Sequence, residues 1–152
     1  FMSLNAQVNA ANIGYHTMDK YESVDCIIIN ETELRHELRD KQGALEPLIR
    51  GLSEKLKTVY TVVTRGSTGA MLYNRQKDKI YFCPAFASKV VDKIGAGDAM
   101  LTLLSIALFK NGKETLSLFL GSLAAAQSVE TIGNSVPVFK IPLLKSIQHA
   151  FK

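Results

Sequence analysis

Two kinds of apolar block recur along this chain. Short β-branched runs at Val24 to Ile29 and at Val59 to Thr64 have no polar alternation, the pattern of strands buried on both faces. Longer segments place apolar residues three and four apart: Leu34 with Leu38, then Leu45 to Leu56, Ala99 to Phe109 and Leu116 to Val129. That spacing predicts helices packed by one face. Phe1 to Ala6 reads as a further short strand leading into a helix that runs towards Lys20. Ala70 to Tyr73 and Ile80 to Phe82 read as a hairpin around Lys77-Asp78-Lys79, and a terminal helix begins at Leu143. Strand and helix therefore alternate. The prediction is one α/β domain over residues 1–152, a three-layer parallel sheet with helices on both faces and one antiparallel hairpin.

Composition narrows the possibilities. With 152 residues and 47% hydrophobic content the chain can bury one sizeable core. A net charge of +4, spread rather than clustered, favours small anionic ligands over nucleic acid. Cys26 and Cys83 each sit in an apolar run and read as free thiols in a reducing cytoplasm, while His16, His36 and His149 fall in unrelated segments unsuited to zinc. Lys110 to Glu114 interrupts the longest apolar stretch, so no membrane span is expected. No signal peptide is evident. The opening Phe1-Met2, already in an apolar segment, reads as the start of a fragment.

The candidate chemistry gathers around Val91-Asp92-Lys93-Ile94-Gly95-Ala96-Gly97-Asp98, which runs directly into the Ala99 helix. Gly95 and Gly97 predict a tight turn feeding a helix N-terminus, where unpartnered amides and the macrodipole favour a phosphate. Asp98 stands beside those amides, placed to take a proton from an attacking hydroxyl; it is equally readable as an ordinary N-cap. Met100 occupies the place of the third glycine of a dinucleotide fingerprint, and Ala107 that of the first glycine of a Walker A loop ending at Gly112-Lys113, so neither motif fits. Asn30 and Glu33 open the helix of Leu34 and Leu38 as a capping pair. Thr64-Arg65-Gly66-Ser67-Thr68-Gly69 is a hairpin turn or a phosphate loop. In the polar run after the first strand, Asn5, Gln7, Asn9 and Asn12 either solvate a helix or line a pocket.

Asp92 to Asp98 resembles the D-T-x-G-A-G-D signature of the ribokinase-like (pfkB-type) carbohydrate and nucleoside kinases, with Lys93 where the family usually has Thr. The resemblance implies Asp98 as catalytic base, the amides of Gly95, Ala96 and Gly97 as anion hole, and Asp92 as a supporting acid near substrate or a monovalent cation. Asn30 and Glu33 are similar to the family's N-x-x-E motif, which holds Mg²⁺ and phosphate through water. Thr64, Gly66 and Gly69 match its T-x-G-x-x-G loop, which contacts ATP phosphates. Asn5, Asn9, Asn12 and Gly14 are similar to a pattern in members associated with heptose phosphate or with nucleotidyltransferase partners. The Asn that family members often carry beside the adenine is replaced within Leu120-Gly121-Ser122-Leu123.

Three motifs in family order across residues 24 to 135 imply a ribokinase-like fold and ATP-dependent phosphorylation of a hydroxyl on a sugar or sugar phosphate. Family kinases are about twice this length, so the resemblance implies a carboxyl-terminal, nucleotide-binding half. The amino-terminal half, with its Gly-Gly substrate motif and lid, is absent; the chain alone should be inactive, and an open sheet edge would favour a homodimer. The competing readings are a non-catalytic nucleotide-binding or regulatory domain and a dinucleotide-binding oxidoreductase half-domain.

Overall fold

The computed structural model describes residues 1–5, 18–21, 24–133 and 135–151. Asn12, with Gln7 and Asn9, lies outside them. The chain forms two compact units, residues 1–65 with 70–82 and residues 66–69 with 83–152.

The first unit carries β1 (Ser3–Asn5), β2 (Cys26–Asn30), α1 (Glu31–Leu38), α2 (Leu45–Leu56), β3 (Tyr60–Thr64), β4 (Ala70–Asn74) and β5 (Lys79–Cys83), the last strand ending at the unit boundary. The strands lie in sequence order, with β1, β2 and β3 parallel in the register Leu4↔Ile27 and Ile28↔Val62. Parallel pairing of β2 with β3 requires a crossover, which α1 and α2 supply. The short link after Thr64 allows β4 to return antiparallel beside β3, with Val62 opposite Leu72. The antiparallel part of the sheet thus begins one strand earlier than the expected hairpin.

Ile27, Ile29, Val63, Met71 and Tyr73 form a core with Leu34 of α1 and Ile49, Leu52 and Leu56 of α2. Residues 26–29 of β2 are at most 1% exposed, so both faces of that strand are buried, as its unbroken apolar run predicts. Several buried polar groups of this unit pair with one another, while Ser3 Oγ is buried without a hydrogen-bond partner among the described residues. Ser53 Oγ donates to Thr58 O at 3.1 Å, and the Thr58 and Thr61 hydroxyls lie 2.9 Å apart. Asn74 Oδ1 accepts from the amides of Gln76 (2.9 Å) and Lys77 (3.2 Å), closing the turn into β5.

The second unit carries α3 (Ala96–Asn111), α4 (Glu114–Val129) and α5 (Lys140–Ala150). Gly112 ends α3 in the left-handed conformation, and two residues suffice to turn the chain into α4. Leu104, Leu118 and Ala124 are fully buried. Gly121 brings the two helices together: a Cβ there would lie 2.9 Å from Leu104 Cβ and 3.1 Å from Met100 Cγ. α5 begins at Lys140, earlier than Leu143, because Pro142 falls in the first turn, where its missing N–H costs no ladder bond.

Gly121→Val is therefore expected to destabilise the chain by about 1–3 kcal/mol through overpacking. Gly51, in α2 with nothing near its missing Cβ, offers the contrast. Gly51→Ala should stabilise by about 0.5–1 kcal/mol. Urea unfolding of both variants checks the pair, and equal effects would contradict the packing account.

Candidate active site

Gly95 adopts φ +82° and is the N-cap residue of α3. A side chain at this angle would strain the backbone, so glycine permits the sharp entry. Ala96 N donates to Lys93 O at 3.4 Å, closing the turn, and Ala99 N takes up the helical ladder with Gly95 O at 2.9 Å. Asp98 is accordingly the third helical residue and not the N-cap residue. No side chain caps the helix. Its first turn therefore offers amides and the positive end of the dipole to a ligand. Asp98 is exposed, and its carbonyl accepts from Thr102 Oγ1 at 2.9 Å. Gly95, Asp98, Ala99 and Thr102 line a cavity of about 220 Å³, completed by Ser128, Val136, Pro137 and Val138.

The loop before the helix is fastened to the end of α4. Val129 O accepts from the amides of Val91 (2.7 Å) and Asp92 (3.2 Å), and Ser88 Oγ donates to Glu130 Oε1 at 3.3 Å. Asp92 adds a carboxylate tether: Oδ1 accepts from Ile94 N at 3.1 Å and Oδ2 from Gly133 N at 2.9 Å. These amides, Ile94 first and Gly133 second, hold its carboxyl below the usual range. Asp92 thus joins the glycine loop to the turn that follows α4. Lys93 is exposed beside it.

In the first unit, Asn30 and Thr64 are register partners at the carboxyl ends of the parallel strands β2 and β3. Asn30 caps α1 through a full capping box, its Oδ1 accepting from Glu33 N at 2.8 Å while Glu33 Oε2 accepts from Asn30 N at 2.9 Å. Arg65 Nε reaches Glu31 Oε2 at 3.4 Å, and Arg35 reaches Glu31 Oε1 at 2.8 Å. The hydrogen bond from Arg35 is the main reason the Glu31 carboxyl is held below its ordinary value. Arg65 also borders a shallow cavity of about 370 Å³ with Met71 and Phe82, which holds none of the other motif residues.

Gly66 and Gly69 belong to the second unit. Gly66–Thr68 forms one 3₁₀ turn, closed by Gly69 N to Gly66 O at 3.1 Å. Gly69 has φ +90°, and a Cβ there would collide with the Cys83 carbonyl and lie 2.8 Å from Pro84 Cα. Only glycine fits. Cys26 and Cys83 are free and buried, burial pushing the Cys26 thiol up to about 12 and raising that of Cys83. Burial of this kind disfavours the reactive thiolate form. Thr102, Ser128 and the Val136–Val138 wall escape the sequence reading, since no motif or periodicity marks them.

A mixed sheet whose parallel strands are joined through helices, with a glycine turn opening a further helix, belongs to the ribokinase-like α/β class. The ribokinase of Arabidopsis thaliana complexed with ribose and ATP superimposes with a TM-score of 0.71 at 25% identity, over 84% of this chain and 42% of its own. Residues 11–140 match the pfkB family of carbohydrate kinases, and the chain belongs to that family. The bifunctional protein HldE of Campylobacter concisus is 31% identical over 124 residues, 79% of this chain and 25% of its own length. The inositol 3-kinase of Arabidopsis thaliana is 31% identical over 108 residues, 71% of this chain and 30% of its own length. The chain thus spans well under half of these curated relatives. Among the described residues no helix is long and apolar enough to cross a membrane.

The lowered Asp92 carboxyl predicts a pH dependence. A group whose folded pKa is depressed stabilises the fold above its unfolded value, about pH 4, and that contribution is lost as pH falls through the folded value. Asp92→Asn should lower stability at pH 7 and converge on the wild type in acid. Urea melts of both chains from pH 7 to about pH 2.5 measure this, and a gap that stays constant would show that the charge of Asp92 is not its source.

Proposed function

We propose that this chain is the nucleotide-binding, catalytic part of an ATP-dependent kinase that phosphorylates a hydroxyl of a sugar or sugar phosphate. The observation that carries the reading is the uncapped start of α3: Gly95 opens it in a left-handed turn, and Asp98 in its first turn lines a cavity. An anion at that terminus meets backbone donors, and a hydroxyl beside it meets a carboxylate. Asp98 would take the proton as the oxygen attacks, and the amides of Gly95, Ala96 and Gly97 would face the charge that develops on the transferring group. Positioning and electrostatics supply most of the acceleration in such transfers.

The cofactors follow from the same reading. ATP phosphates suit the Thr64, Gly66 and Gly69 loop, in which nothing lies within 4 Å of the place a Gly66 side chain would take. Among the described residues no three His, Cys, Asp or Glu side chains gather into a metal site. A Mg²⁺ ion held through water and phosphate needs only one or two carboxylates, and the Glu33 carboxylate, with the Asn30 carboxamide oxygen beside it, is the candidate. When bound, it neutralises phosphate charge. Asp92, beside the 133 turn, is the candidate for a monovalent cation or for substrate support. The sugar contacts would come from an amino-terminal half, so the isolated chain should show little kinase activity and could pair with a second copy. Two buried free thiols suit a cytoplasmic enzyme.

Calorimetric titration of this chain with Mg-ATP, beside NAD as control, tests the reading. Saturable binding that weakens in Gly97→Val is expected; preference for NAD would favour an oxidoreductase. In the intact enzyme Asp98→Asn should lower turnover about 10²- to 10⁴-fold. Undiminished turnover by the folded variant would remove Asp98 from the mechanism.

A further inference from the structure

We propose that Gln127 is a positioning residue of the Asp98 cavity, holding the Val136–Val138 wall in place through the Phe139 amide. The functional part of this inference rests on the reading of that cavity as a phosphoryl-transfer site. Gln127 lies in the last turn of α4, next to the cavity residue Ser128. Its Oε1 accepts from Phe139 N at 2.8 Å. Phe139 is the N-cap residue of α5 and directly follows Val136, Pro137 and Val138, three of the eight residues that line the cavity.

The segment between α4 and α5 is therefore pinned at both ends. Its start is held by Thr131 N and Oγ1 on Ser128 O, at 3.3 and 3.2 Å, and by Gly133 N on Asp92. Its end is held by Gln127. Phe139 brings no hydrogen-bonding side chain of its own, and no side chain caps α5. The carboxamide thus fixes the backbone where the apolar wall meets the helix. Gln127 does not line the cavity; it acts through the wall. A side chain of the same length without an acceptor would leave the Phe139 amide to water and release the wall.

The experiment compares the wild type with Gln127→Met, which keeps length and apolar bulk, and with Gln127→Glu, which keeps an acceptor oxygen. Amide hydrogen exchange at Val136, Val138 and Phe139 should accelerate about five- to tenfold in Gln127→Met, the effect of one lost hydrogen bond, and stay near wild type in Gln127→Glu. Urea unfolding identifies a variant whose global stability has collapsed, in which case the Glu variant alone decides by its exchange pattern. Mg-ATP titration of the same proteins should show about five- to tenfold weaker binding in Gln127→Met. Unchanged exchange in Gln127→Met, or faster exchange with unchanged nucleotide affinity, overturns the role of Gln127. If the wild type binds no nucleotide, the functional reading fails, and the exchange comparison still decides whether Gln127 holds the wall.

Discussion

The carbonyl of Val129 is the point on which the site is built. It belongs to the last residue of α4, and it accepts the amides of Val91 and Asp92 from the loop that precedes α3. A loop crowded with small residues has much conformational entropy to lose, and each net hydrogen bond returns only about 0.5–1.5 kcal/mol. One bond would not hold it. The end of α4 instead concentrates several, adding Ser88 on Glu130, the Asp92 carboxylate on Gly133 and Gln127 on Phe139. The entry to α3 and the wall opposite it are therefore fixed by the same helical turn, which also places Ser128 in the cavity.

The packing of α3 on α4 makes that turn a firm support. Gly121 allows close approach to Leu104 and Met100, and neither helix could shift without opening this contact. Cavity and core thus share α3: its first residues meet the cavity, and Met100, Leu104 and Leu108 are buried. In the first unit the same division holds. Ile27 and Ile29 fill the core, while Asn30, the next residue, turns the chain into α1 at the carboxyl end of the sheet. Ligands of open α/β sheets gather at such ends.

Membership of the pfkB family gives these features a common meaning without assigning the substrate. Relatives that match over most of this chain differ in what their names describe, from an inositol 3-kinase to a bifunctional protein, and the chain covers only 25% and 30% of those two. The matched part carries the glycine loop, the capping box and the T-x-G-x-x-G turn, elements whose form depends on backbone geometry. Geometry of that kind tolerates wide change in side chains. Substrate choice rests on side chains, and it varies accordingly.

The sequence by itself determined what local chemistry controls. The Leu45–Leu56 helix has the bounds that its periodicity predicts, the Asn30 and Glu33 box forms between residues three apart, and the glycine turn opens a helix where Gly95 allows a positive φ. The terminal helix starts at Lys140 rather than the expected Leu143, and Pro142 is accommodated in its first turn. Tertiary structure decided the rest. Asp98 became a third-position residue because the turn closed at Gly95, and β4 returned beside β3 because the short link permitted it. The partners of Asp92 and Gln127 are backbone amides 41 and 12 residues away, and a backbone amide carries no side-chain identity that a sequence could display.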